Sequence, residues 1–233
     1  MKKRGFTVSE IMVALAMIGI IGSLTIPTFI SSNKNKANAS KLATTISAVE
    51  NGFTNMIVSE AVQNLSETRF GRIDANNATD LAGILGDYLK LNGDSAFNDY
   101  GFNLINGDTL DNFNGNRTLQ LKNGALLMYQ IDPVEVDEND ARNLGGTITG
   151  STGKMLIDIN AENNPNTVGR DIFYFRVGDD GLLYPAGGLN FSILEEGHNA
   201  GLWRNGGEYS CNDNNKQLGC TARLIENNYE VDY

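Results

Sequence analysis

Glu10 makes the strongest demand on this chain. It stands at the edge of residues 11–30 (IMVALAMIGIIGSLTIPTFI), a run of 20 positions without a charged side chain. A carboxylate carried into lipid costs on the order of 3 kcal/mol, so Glu10 needs a partner. Other residues with chemical potential are few. There is one His, His198, and there are two Cys, Cys211 and Cys220, so the chain cannot by itself supply a four-ligand Cys/His zinc cluster. His198 lies in Glu-Glu-Gly-His-Asn-Ala-Gly, a loop-like setting without a nucleophile signature, and reads as a surface imidazole. No Gly-x-Ser-x-Gly, Walker loop or dinucleotide fingerprint occurs, so the sequence offers no catalytic residue and no cofactor site, and an enzyme is not expected. Two oxygen-rich stretches remain. Residues 132–140 (DPVEVDEND), opening at Asp132 and closing at Asp140, read as a solvated acidic loop. Asp158, Asn160, Glu162 and Asn163 alternate oxygen donors like the start of a calcium loop, but lack its Gly and distal Glu. Neither stretch is assigned a metal.

The elements around Glu10 follow from length and charge. A chain of 233 residues suits one core with an extension. Lys2, Lys3 and Arg4 make the leader basic, whereas residues 73–233 carry 10 basic and 24 acidic side chains, a net −14 within the total of −10. That balance, with a pI near 4.6, argues against a partner held by phosphate neutralisation, and no nucleic acid is expected. Residues 11–30 would span roughly 30 Å as a helix, the hydrocarbon thickness of a bilayer. The run is longer than the apolar region of a cleaved secretory signal and has no Ala-x-Ala site at its end, so a transmembrane helix is expected. The basic leader places the N-terminus in the cytoplasm and the acidic body outside, an asymmetry weakened but not reversed by Lys34, Lys36 and Lys41.

Read outward from Glu10, the N-terminus is Lys2, Lys3, Arg4, Gly5, Phe6, Thr7, Val8, Ser9, Glu10 and then the apolar helix. This resembles the class III signal of type IV prepilins and type II secretion pseudopilins, in which a short basic leader ends in Gly and the mature chain begins with Phe. The resemblance implies that a prepilin peptidase, a membrane aspartyl enzyme, cuts after Gly5 and methylates the new N-terminus at Phe6. It places Glu10 where the family carries a glutamate, and Pro27 where many members have a helix-breaking proline. Val8 and Ser9 depart from the more usual Leu and Ile. Cleavage would create an α-amino group about as deep as Glu10, and an ion pair between neighbouring subunits would remove the burial cost of both and set axial register. Gly19 and Gly22 permit close helix approach. Pro27 removes a backbone donor, so a kink or melted turn is expected there. Outside the cytoplasm Cys211 and Cys220 should form a disulfide, as in the C-terminal loop of many pilins.

Beyond residue 30 apolar residues keep helical spacing at Leu42, Ile46, Val49, Phe53, Met56 and Ile57, then Ala61 and Leu65, so the helix is expected to continue as an amphipathic spine through residue 66. The head, residues 67–233, should open with a short helix capped by Asp80 and running through Leu91. A hairpin follows over residues 117–131, where Asn123-Gly124 suits a two-residue type I′ turn. Further strands are expected at 154–159, 171–177 and 182–184, the last two joined by Gly178-Asp179-Asp180-Gly181. The expectation is an α+β, pilin-like protein: leader 1–5, spanning helix 6–30, amphipathic continuation 31–66, globular head 67–233.

Two functions compete. One is a filament subunit, stored in the inner membrane and assembled with other pilin or pseudopilin subunits by a membrane platform and its ATPase. The other is an uncleaved, membrane-anchored periplasmic binding domain. An anchor alone has no reason to place Phe after Gly and Glu four residues beyond.

Overall fold

The computed structural model describes residues 5, 7–73, 81–95, 117–146, 148–161, 163, 165–195, 202–212, 215–216 and 218–232. Its first element is helix α1, Val8–Ser59. Residue packing divides the chain into two units, Met1–Ala37 and Asn38–Tyr233, and α1 contributes to both. Within the first unit the stretch Val8–Ile26 of α1 is strongly apolar and none of it is buried. In the second, Leu42, Val49, Phe53 and Met56 are fully buried and Ile46 nearly so, one stripe at intervals of three and four.

α1 stops at Ser59 rather than at residue 66. The Val62 N–H returns to the Ile57 carbonyl and the Ala61 N–H to Val58, with Ala61 at φ 54°. This is a Schellman stop with alanine in the position usually held by glycine, which hides the helix end in the sequence. Leu65 still reaches the core, from a short 3₁₀ turn over Leu65–Glu67. Ala61 is exposed.

Helix α2 is shorter than expected, Leu81–Gly86, and Asp80 lies outside the described residues. Leu91 does not end that helix but opens strand β1, Leu91–Ser95, an edge strand whose Asn-Gly-Asp composition carries little β signal. Strands β2 (Arg117–Leu121) and β3 (Leu126–Glu135) form the expected hairpin with a different turn. Gly124 donates to the Leu121 carbonyl and Leu121 to that of Ala125, while Gly124 alone takes a positive φ, 79°. The loop is therefore three residues, a type I turn closed by a left-handed glycine, and not a type I′ pair, which requires positive φ at Asn123 as well.

β4 (Gly150–Asp158), β5 (Ile172–Gly178) and β6 (Leu183–Pro185) complete a six-stranded sheet in the order β1 to β6, each neighbour antiparallel. The fold is α+β. Residues 132–140 are not a loop: their first part extends β3 past a bulge, and Asp137 then caps helix α3, Glu138–Asn143, by accepting the Asn139 N–H. Helix α4 (Leu189–Leu194), the small pair β7 (Cys211–Asn212) and β8 (Asn215–Lys216), and helix α5 (Cys220–Glu226) finish the chain.

Strand periodicity sorts the sheet into two buried faces. Leu127, Tyr129, Met155, Ile157, Phe173 and Phe175 pack with the α1 stripe. Met128, Leu156, Ile172 and Tyr174 face the other way, against Phe191 of α4, Ala186 and Leu218. β5 is buried along its whole length, which explains its nearly continuous apolar reading, IFYFRVG. Its short neighbour β6 leaves polar groups to satisfy: the Tyr174 N–H donates to the Thr221 hydroxyl of α5, and Leu183 at the sheet edge donates to the Glu50 carboxylate of α1.

Candidate functional site

The N-terminal segment is organised around Thr7 and Glu10. Glu10 Oε2 accepts from the Thr7 backbone N–H and from its hydroxyl, both at 2.8 Å, while the Glu10 N–H donates to the Thr7 hydroxyl at 3.2 Å. This is a capping box: Thr7 closes the helix N-terminus and the N3 glutamate reaches back. The sequence carries its signature, Thr-x-x-Glu before an apolar run. The box places the carboxylate where the helix dipole favours negative charge. Both bonds fall on one oxygen, and a carboxylate offers about four lone-pair sites, so Glu10 retains capacity for a cation.

Gly5 is exposed, and a side-chain carbon added there would meet nothing within 4 Å. Phe6 and the basic leader lie outside the described residues. Residues Val8–Ile26 have a mean hydropathy of 2.0 and none of this stretch is buried; it is the one helix among the described residues long and apolar enough to cross a membrane. Two of its side-chain hydroxyls are internally satisfied, Ser23 by the Ile20 carbonyl and Thr25 by that of Ile21. Such bonding removes the cost of placing a hydroxyl in hydrocarbon. A Cβ on Gly19 would meet nothing within 4 Å and one on Gly22 only the Ile26 side chain at 3.8 Å, so both glycines leave open helix surface. Helical structure continues through Pro27 without a melted turn.

In the second unit Cys211 and Cys220 form a disulfide and are fully buried. Arg223 of α5 ties the bridge to the chain end, donating to the Cys211 carbonyl at 2.7 Å and pairing with Asp232 at 2.8 Å. That pairing holds the Asp232 carboxyl below the usual range. His198 falls outside the described residues.

In each oxygen-rich stretch the first aspartate is held by protein partners. Asp132 pairs with Lys154 at 3.0 Å and with Arg176 at 2.8 Å. Glu195 completes this cluster through Arg176 at 2.9 Å, and Arg176 is 1% exposed. Asp158 accepts the Asn160 N–H, and Asn163 donates to the Asn160 carbonyl, while Glu162 is not described. The neighbouring buried Asp171 accepts the N–H groups of Asn166 and Thr167 and the amide of Asn160, so it organises the loop from within. Among the described residues no group of three or more His, Cys, Asp or Glu is assembled that could hold a metal ion.

No family model matches the chain. It is similar to type II secretion system core protein G of Escherichia coli (strain K12), with 46% identity over 50 residues, 22% of this chain and 34% of that protein. The match thus spans about a third of that relative's length. No solved structure matches.

Proposed function

We propose that this chain is a structural, non-catalytic subunit of a type II secretion pseudopilus or type IV pilus-like filament. In this reading a prepilin peptidase cleaves after Gly5 and methylates Phe6. The subunit waits in the inner membrane as a single-pass protein with its N-terminus cytoplasmic and its head periplasmic. A membrane platform and its ATPase then extract it from the lipid bilayer into contact with other pilin or pseudopilin subunits. Residues 1–5 are the leader, 6–30 the membrane and filament-core helix, 31–66 the segment leading to the head, and 67–233 the head.

The observation that carries the proposal is the capped, unburied apolar stretch Val8–Ile26 of α1, with Glu10 in its first turn and an exposed Gly5 just before it. A helix that is apolar on every side is stable only in lipid or among other such helices, and the filament supplies the second environment. Cleavage would place a positive α-amino group on Phe6, and the oxygen of Glu10 left over from the capping box can accept it from a neighbouring subunit. The partial similarity to a type II secretion core protein supports the same role. Mass spectrometry of the N-terminal peptide from native membranes tests the reading: a peptide beginning at methylated Phe6 is expected. An intact Met1 leader in cells with an active peptidase would make the protein a permanently anchored periplasmic domain.

A further inference from the structure

An asparagine followed by glycine is open to attack on its side-chain amide by the next backbone nitrogen, because glycine is conformationally free and has no side chain to block the approach. The sequence holds six such pairs: Asn51-Gly52, Asn92-Gly93, Asn106-Gly107, Asn114-Gly115, Asn123-Gly124 and Asn205-Gly206. All but those at 106 and 114 lie within the described residues, and the fold restrains three of them. Asn51 and Gly52 belong to α1, whose regular bonding occupies the Gly52 N–H, and Gly52 is buried against Leu89. Asn92 and Gly93 are fixed by strand pairing in β1, and the Asn92 amide donates to Gln120 Oε1 at 3.3 Å. Asn123 is held at both ends of its side chain, Nδ2 donating to Thr45 Oγ1 and Oδ1 accepting the Ala125 N–H, both at 3.0 Å. The Gly124 N–H that would attack it is already given to the Leu121 carbonyl.

Asn205 differs on each count. It lies in an excursion from Trp203 to Cys211 whose ends are pinned. The Cys211 N–H donates to the Trp203 carbonyl at 2.7 Å, the Trp203 N–H to that of Gly187 at 2.8 Å, and Cys211 is bridged to Cys220. Between these anchors residues 204–208 are exposed. A Cβ added at Gly206 or at Gly207 would meet nothing within 4 Å. Neither the Asn205 side chain nor the Gly206 N–H makes a hydrogen bond among the described residues. The electrophilic amide and the attacking nitrogen are therefore both uncommitted, in a segment with room to align them.

We propose that Asn205 is a modification site, deamidated spontaneously in the folded chain, and that the fold selects it over the pairs at 51, 92 and 123. The Gly206 nitrogen bonds to Asn205 Cγ, the Cγ–Nδ2 bond breaks, and Nδ2 leaves as ammonia with the proton from the Gly206 nitrogen. Water then opens the five-membered imide at either carbonyl, giving aspartate or isoaspartate at 205. Solvent water is the only co-reactant, and nothing is oxidised or reduced. Residues 203–212 carry one cation, Arg204, and one anion, Glu208, so either product takes this excursion from neutral to a net −1. Isoaspartate also adds a backbone carbon where the Asn205 carbonyl accepts the Asn212 amide at 3.4 Å. Because both ends are pinned, the change stays local: the head keeps its fold while the excursion beside the disulfide turns acidic with age. The site belongs to the head and needs no cleavage at Gly5.

The test is ageing of the purified full chain in detergent micelles at neutral pH, read by peptide mass spectrometry, with parallel samples unfolded in urea. Unfolded, the same dipeptide has the same chemistry at each position, so the four pairs should convert at similar rates. In the folded chain Asn205 should keep that rate while Asn51, Asn92 and Asn123 fall behind by about tenfold or more, the penalty for reacting atoms held out of alignment. An isoaspartyl methyltransferase should label the peptide that carries residue 205, because direct hydrolysis of the amide yields aspartate alone. Gly206→Val crowds the attacking nitrogen in a position with open space around it, so conversion at Asn205 should fall about tenfold while the thermal midpoint is unchanged. Conversion at Asn51, Asn92 or Asn123 as fast as at Asn205 in the folded chain overturns the proposal, as does conversion of Asn205 only after unfolding. A product free of isoaspartate, or undiminished conversion in Gly206→Val, overturns the imide route. N-terminal processing can fail without altering any of these rates, so the result is separable from the proposed cleavage.

Discussion

Lys154 and Arg176 lie directly opposite each other on β4 and β5, two cations in register on a buried face of the sheet. Like charges so placed destabilise a strand pair. Here both converge on Asp132, at 3.0 and 2.8 Å, and both reach Glu195 beyond α4, at 3.5 and 2.9 Å. Two carboxylates offset two cations, and the Asp132 carbonyl takes a further Arg176 N–H at 2.7 Å. The cluster fastens the end of α4 to the sheet.

Removing one member of this cluster should cost more than removing an ordinary surface pair. Glu195→Ala leaves Arg176 buried and short of a partner, a loss of about 3–5 kcal/mol. Urea denaturation of the full chain in detergent measures it. A loss below about 1 kcal/mol, the level of an exposed pair, would mean that the cluster is solvated in practice.

The left-handed conformation of Ala61 gives a prediction of opposite sign. An L-residue with a Cβ pays roughly 1–2 kcal/mol there, and glycine does not. Ala61→Gly should therefore raise stability by about 1 kcal/mol and raise the thermal midpoint, because Ala61 is exposed and loses little packing. A lowered midpoint would show that α1 does not end at this turn.

Asp179 sets a pH dependence. Burial first, and then the nearby carboxylates of Glu135, Asp180 and Glu67, push its carboxyl above the usual range, against a lowering contribution from Ser66. The folded state then holds this proton more tightly than the unfolded chain. Its stabilising contribution is complete below the ordinary Asp range, near pH 4, and is lost as pH rises through the elevated value. Asp179→Asn removes that dependence, so its stability relative to the parent should improve from pH 4 to pH 7. A difference that stays flat across this interval, measured by urea titration at each pH, contradicts the assignment.

Legibility in the sequence tracked the physical origin of each element. The α1 stripe and the strands rich in β-branched and aromatic residues were readable because hydrophobic spacing itself builds them. The end of α1 was not, because Ala61 is a good helix former held in a left-handed turn by the carbonyls of Ile57 and Val58. β1 and the first half of β4, Gly-Ser-Thr-Gly, owe their strand state to their neighbours' hydrogen bonds and not to their own composition. The acids of residues 132–140 look like a solvated loop until Arg176 and Lys154 arrive from other strands. At the N-terminus the Thr7–Glu10 bond is local and carries a sequence signature, Thr-x-x-Glu, so it is legible without any tertiary contact.

The capping role of Glu10 and its proposed role as counter-ion to a neighbour's α-amino group can be separated by substitution. Thr7→Val removes the cap hydroxyl but leaves the carboxylate, so it should cost about 1 kcal/mol of helix-end stability, visible as fraying of the first turn by amide hydrogen exchange in micelles. Filament incorporation should persist, since the carboxylate can still accept the α-amino group of a neighbour. Glu10→Gln keeps an acceptor for Thr7 but removes the charge, so the first turn should stay protected while a neighbour's Phe6 amine is left without a counter-ion. Incorporation should then fail even though cleavage after Gly5 proceeds. Equal incorporation of Glu10→Gln and the parent would reduce Glu10 to a capping residue. Failure of Thr7→Val alone would instead make helix initiation, and not the ion pair, the step on which assembly depends.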